Sequence, residues 1–159
     1  MPLNRDFIGR EFPPSPPYEV GREKIREFAT AIGDTNPAYT DPEAAKALGH
    51  PDVIAPPTFA IILSLGMGAP IVSDPDLGLD YSLVVHGEQR FVHTRPIQAG
   101  DVLVGIPRIT AIRDAGRNEL ITWEADLRTV EGEQVCVATN TLVSRGTAAP
   151  RHQQQSNGG

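Results

Sequence analysis

The rhythm of hydrophobic and polar positions changes about halfway along the chain. In GREKIREFATAIGD (residues 21–34), Ile25, Phe28, Ala29 and Ile32 recur at helical spacing and polar residues fill the rest. That period predicts an amphipathic helix over 21–32, with Gly33 suited to the position just past its end. TDPEAAKALG predicts a second, short helix, with Asp41 as N-cap, Pro42 in the first turn and Gly49 as the stop. Residues 57–68, PTFAIILSLGMG, form the most apolar run, set between Pro56–Pro57 and Gly-Ala-Pro. Lacking a polar face, it reads as a buried helix starting at Pro57 or Thr58. Ile61, Ile62 and Leu63 would also suit a buried strand; the length and the flanking prolines favour helix.

After residue 80 the period shortens. SLVVHGEQRFVHTRPI, DVLVGIPRITAIRD, ELITWEADLRTVEG and EQVCVATNTLVSR are rich in Val, Ile and Thr and predict four strands. Ile121, Trp123, Ala125 and Leu127 alternate with Thr122, Glu124, Asp126 and Arg128, one face in and one out. Short glycine turns (QAGD, DAGRN, EGE) predict antiparallel hairpins between neighbours. A sheet of that size has a face to cover, and the apolar helix is the cover at hand. The fold class that follows is α+β, a sheet wrapped around one central helix in the hot-dog arrangement. Such a sheet leaves an edge strand exposed, and pairing edges between two copies removes that hazard, so a dimer is expected.

The chain's 159 residues suit one domain with a single core. Four prolines in PPSPPYEV predict an extended surface arm over 1–17, ahead of one domain over 18–146. The end, APRHQQQSNGG, is poor in apolar residues, so 147–159 is expected to be a disordered tail. No window approaches the run of roughly 18 apolar residues that spans a bilayer, and MPLNRDFIGREF lacks the apolar core of a secretory signal. Cys136 is the single cysteine, which excludes an internal disulfide and fits a reducing cytoplasm; in QVCVATNTLV it reads as strand packing. A formal charge of −6 argues against nucleic acid, and an acidic partner would need a local arginine cluster. Arg90, Arg95 and Arg108 are candidates for one, or are simply solvated strand edges.

GDTNPAYTDPEAAKALG, residues 33–49, carries the most specific signal. Its Gly33, Asp34, Asn36 and Pro37, followed by an alanine-rich helix, resemble the Gly-Asp-x-Asn-Pro-x-His loop of the MaoC-like (R)-specific enoyl hydratase/3-hydroxyacyl dehydratase family. The resemblance runs from about Tyr18 to Arg145, with IAPPTFAIIL at the central helix, and within the family it is to HadA-type subunits. Those pair with a HadB-type partner that carries the catalytic residues. Dehydrating a 3-hydroxyacyl thioester requires removal of a proton beside the carbonyl and protonation of the leaving hydroxyl. An imidazole, with an ordinary pKa near 6.5, suits that exchange, and backbone N–H groups at a helix start can polarise the carbonyl. In the family the Asp orients the water or leaving hydroxyl and the His five residues later exchanges the proton.

Here the family's His position holds Tyr39. With an ordinary pKa of about 10, only about a thousandth of a phenol is in basic form at pH 7. Asp34 and Asn36 then have a second reading, as caps on backbone N–H groups in a proline turn. His86, beside Gly87 and near Glu88, is the candidate for a replacement base, or else a hydrogen-bonded histidine where two subunits meet. His93 reads as solvent-facing, His50 as a loop residue and His152 as part of the tail. No pair of them has metal-ligand spacing, and no metal or cofactor is expected. Two prolines in APP also remove donors from the start of the central helix, where the family tends to have His-Gly.

The resemblance, with these departures from it, implies a subunit of a (3R)-hydroxyacyl-ACP or acyl-CoA dehydratase of fatty-acid metabolism, defective alone and paired with a catalytic MaoC-like partner. Pro57, Thr58, Phe59, Ile62 and Leu63 would contact the acyl chain, or else are ordinary core. A self-sufficient hydratase using Asp34 and His86, and a non-enzymatic acyl-binding homodimer, stay open beside it.

Overall fold

Five antiparallel strands curl around a short apolar helix in the computed structural model of the chain, which describes residues 1–149. The strands lie in the order β1 (Tyr18–Glu19), β3 (Val102–Ala115), β4 (Asn118–Thr129), β5 (Gln134–Ser144) and β2 (Val84–His93). This is the expected α+β hot-dog architecture. On β4 the alternation holds along the whole strand, with Ile121, Trp123, Ala125 and Leu127 buried.

Two of the three expected hairpins form. Gly116 (φ 66°) turns β3 into β4 and Gly132 (φ 98°) turns β4 into β5, both in the left-handed region that glycine enters without strain. The third is corrected: QAGD does not join sheet neighbours, because β2 pairs with β5 at the far end of the sheet. Gly100 instead donates its N–H to the Val20 carbonyl, and Ala99 donates to Val53. β2 is consequently an edge strand, with a bulge between His86 and Glu88 and with Val85 and Val92 exposed.

Helix α1 (Arg22–Ile32) buries Ile25 and Ala29, half-buries Phe28 and leaves Ile32 exposed. Gly33 closes it at φ 74°, donating back to the Thr30 carbonyl, while Asp34 donates to Ala29. Helix α2 (Pro42–Ala47) starts as expected, the Asp41 carboxylate accepting from Glu43 N–H at 2.9 Å.

The central helix is shorter than expected, and one-sided. Residues 57–60 form turns, helix α3 begins at Ile61 and ends at Met67, and α4 spans Ala69–Val72. Phe59, Ile61, Ile62 and Leu63 all donate three residues back, a tight first turn that follows two prolines with no N–H to give. Leu63, Ser64 and Met67 are buried, yet Leu65 is 54% exposed and Gly66 is exposed, so a run without a polar face is covered on one face only.

The proline-rich arm departs from a surface strap. Leu3, Phe7 and Phe12 are buried in the core. The arm runs along β3, with Gly9, Phe12 and Ser15 donating to the carbonyls of Ile109, Pro107 and Gly105. Hydrophobic anchors spaced along it, rather than proline content, decide its position.

Candidate active-site loop and its cavities

The loop after α1 is built by two side-chain caps in series. The Asp34 carboxylate accepts from Asn36 N–H at 3.2 Å, and the Asn36 side-chain oxygen accepts from Ala38 N–H at 3.0 Å. A single 3-10 turn, Pro37–Tyr39, follows and buries Ala38 and Tyr39 while Asp34 and Asn36 stay exposed. Both capping roles anticipated for Asp34 and Asn36 are therefore filled. Tyr39 is directed inward and Asp34 lies close to it. Desolvation first, then the negative charge and hydrogen-bonding capacity of Asp34, push the Tyr39 phenol above its ordinary pKa. At neutral pH it is a donor and not a base.

Tyr39 lines a cavity of about 330 Å³ with Ile54, Ala55, Pro57, His93, Thr94, Arg95 and Pro96. His93 is corrected here: it is half-buried, not solvent-facing, and its Nε2–H donates to the Pro57 carbonyl at 2.8 Å. The bond fixes the hydrogen on Nε2, because a carbonyl only accepts, and ties β2 to the entry of the central helix. The face of β2 explains the difference. His93 pairs in register with buried Cys136, and it is Val92 that is exposed. The Cys136 thiol is pushed up to about 11, chiefly by burial, as suits packing and not nucleophilic chemistry.

The other expected residues separate. His86 is exposed on β2 and lines a different cavity, of about 170 Å³, with Leu65, Tyr81, Trp123, Asn140 and Leu142 among its walls. Tyr39 is absent from that wall, so within one chain the loop and His86 serve separate spaces. Ile62 and Leu63 line a third cavity, of about 320 Å³, with Pro13, Pro14, Tyr18 and Met67. Pro57 lines the Tyr39 cavity, and Thr58 is exposed at the helix entry. Phe59 is fully buried and packs edge-to-face on Phe28 at 5.5 Å, so it stands behind the cavities as core.

Among the described residues the arginines make no open cationic cluster. Arg95 makes two bonds of 2.9 Å to the Asp101 carboxylate and others of 2.8 and 3.1 Å to Glu133, which hold Glu133 below the usual carboxylate range. Arg90 and Arg108 are exposed. Among the described residues no group of three or more His, Cys, Asp or Glu is placed to hold a metal ion. None of their helices is long and apolar enough to cross a membrane.

Sequence reasoning missed a row of polar groups on the inner face of the sheet. Gln89 pairs in register with Asn140, and Asn140 with Trp123, across β2, β5 and β4. Gln89 Oε1, both amide atoms of Asn140 and Trp123 Nε1 are buried without a hydrogen-bond partner among the described residues, as is Ser64 Oγ on α3. The visible signal was one asparagine at an inward position of an otherwise apolar strand.

Comparison with known proteins places this geometry. A profile of the family described as FAS1-like, dehydratase domain region, matches residues 6–138. A UPF0336 protein of Saccharopolyspora erythraea is 62% identical over 148 residues, 93% of this chain and 95% of that protein. Among solved structures, the C-terminally truncated HadBC (3R-hydroxyacyl-ACP dehydratase) complex of Mycobacterium tuberculosis superposes with a TM-score of 0.79. It shares 31% identity and is covered over 99% of its chain and 89% of this one. A MaoC-like dehydratase gives a TM-score of 0.81 at 32% identity; the match covers 87% of this chain and 42% of that longer one.

Proposed function

The chain belongs to the FAS1-like dehydratase domain region family and shares the hot-dog fold of the MaoC-like dehydratases, and we propose that it is the acyl-binding subunit of a (3R)-hydroxyacyl-thioester dehydratase whose catalytic histidine comes from a MaoC-like partner. One observation carries the reading. The loop is intact in shape, and its proton-transfer position holds a buried tyrosine whose pKa is raised.

In dehydration the partner's imidazole takes the proton beside the thioester carbonyl, and the hydroxyl departs as water after gaining a proton. On this chain Tyr39, protonated at neutral pH, offers a hydrogen bond from the cavity wall. Asp34 orients the Tyr39 hydroxyl. Ile62 and Leu63 give the acyl chain an apolar wall, with Phe59 as the packed layer behind it. Pro57 and Thr58 form the entry of the central helix, where the prolines leave few free N–H groups to polarise a carbonyl. Pairing at the free edge of β2 joins the two subunits.

The test is hydration of a crotonyl thioester. The purified chain alone should give no turnover, and co-expression with a His-bearing MaoC-like subunit should restore it. Turnover by the chain alone, abolished in Asp34→Ala or His86→Ala, would instead establish the self-sufficient hydratase. Binding of acyl thioester with no turnover in any pairing would leave the non-enzymatic homodimer.

A further inference from the structure

The cavity beneath the β2 side of the central helix has an unusual floor. Asn140 is 1% exposed and Trp123 is 2% exposed, both line it, and neither the Asn140 amide nor the Trp123 Nε1–H finds a partner among the described residues. Gln89, next to Asn140 in register, adds an unpaired buried oxygen. Leaving such groups desolvated and unpaired costs more than most single contacts return, so a missing partner is the natural account. Above the floor, Leu65 and Tyr81, both exposed, line the mouth. A polar floor inside an exposed rim is how a protein contact is built, with a desolvated anchor at its centre.

We infer that this cavity is a socket for an Asn or Gln side chain presented by the partner subunit docked along β2. A carboxamide meets the chemistry of the floor in full. The floor offers donors (Asn140 Nδ2–H, Trp123 Nε1–H) and an acceptor (Asn140 Oδ1), so its occupant must both accept and donate. A carboxylate only accepts and an ammonium only donates. Either would also bring a charge into a cavity whose walls carry no acidic or permanently basic side chain. A carboxamide has two N–H donors and an oxygen with two lone pairs, and turning the Asn140 amide over leaves that match unchanged. The volume, about 170 Å³, admits the end of one side chain.

The inference rests on the subunit reading, and the experiment keeps the two apart. The chain is co-expressed with a His-bearing MaoC-like subunit. Its dissociation constant is measured by titration calorimetry, and the unfolding midpoint of the isolated chain by calorimetric scanning. Asn140→Leu keeps the size and removes the orphaned amide. The isolated chain should then be as stable as wild type or more so, while the affinity for the partner falls about tenfold or more. Trp123→Phe keeps the ring edge and removes one donor, with a smaller loss of about threefold or more. Unchanged affinity in both variants with a pairing wild type overturns the socket alone. An Asn140→Leu chain that is less stable or does not fold overturns it too, because the amide would then be satisfied within the chain or by ordered water. A wild type that does not pair at all overturns the subunit reading and the socket together.

Discussion

The two flanks of the central helix meet different surroundings. On one, Ile62, Leu63, Gly66, Met67 and Pro70 face a cavity whose far wall is the chain's own arm, Pro13 to Pro16 and Tyr18, with Pro107 of β3 beside it. On the other, Leu65, Gly68, Ala69 and Val72 look onto Trp123 and Asn140, with Tyr81, His86 and Leu142 at the sides and, among the described residues, none of the arm. Both flanks come from one apolar run. Hydrophobicity alone therefore does not say which face a chain completes for itself. The arm completes the first, and the second carries unsatisfied hydrogen-bonding groups of the kind that a partner supplies. The chain is finished on one side of its helix and unfinished on the other.

The largest effect should come from breaking the finished side. Phe12 anchors the arm in the core at 6% exposure, and its N–H bonds the Pro107 carbonyl. Phe12→Ala should cost about 3–5 kcal/mol of stability, read as a lower urea midpoint of the isolated chain. Leu65, 54% exposed on the open flank, should tolerate alanine within about 0.5 kcal/mol in the same measurement. Equal losses at the two positions would mean that the arm is ornamental, or that the open flank is already covered by a second copy.

A smaller effect separates the two contacts on which the helix rests. A β-carbon at Gly68 would stand 2.5 Å from Cζ2 of Trp123, part of a rigid ring held in the sheet. At Gly105 it would meet the end of the Met67 side chain, which is free to swing, and Leu127 Cδ2 at 3.0 Å. Gly68→Ala should cost about 1–3 kcal/mol, while Gly105→Ala should cost no more than about 1, since alanine also restrains the unfolded strand. The reverse order would place the tight contact under the arm side. Denaturant unfolding of the two variants decides between them.

Much of this was legible in the sequence, for local reasons. The caps at Asp41 and Gly33, the alternation on β4 and the two-turn ribbon from β3 to β5 are set by neighbours in the chain, and they lie where the pattern put them. What the pattern misjudged depends on distant partners. The place of β2 follows from pairing with β5, not from the QAGD turn. The inward face of His93 follows from that same register, since an edge strand with exposed valines has no clean alternation. The arm's burial needs β3 to lie beside it, and Pro57 to Ala60 give turns because two missing donors delay the helix. The loop was read correctly down to its caps, because Asx turns need nothing beyond two residues. That His86 and Tyr39 line separate cavities was beyond any reading of spacing.

The finest distinction is between the loop cavity and both flanks, and Tyr39 tests it by titration. Burial and Asp34 favour the neutral phenol in the folded chain, so its folded pKa lies above the unfolded value of about 10. The sign follows from that. The preference for neutral Tyr39 contributes fully to stability below pH ~10 and is lost as pH rises through the folded value. The absorbance titration of wild type minus Tyr39→Phe should therefore show one phenol ionising above pH ~10. The stability difference between the two proteins should hold at neutral pH and shrink only in that alkaline window. A phenol ionising near neutral pH would make Tyr39 a usable base and bring the chemistry back into this chain. Ionisation above it leaves the proton transfer to another residue, as the proposed partner subunit requires.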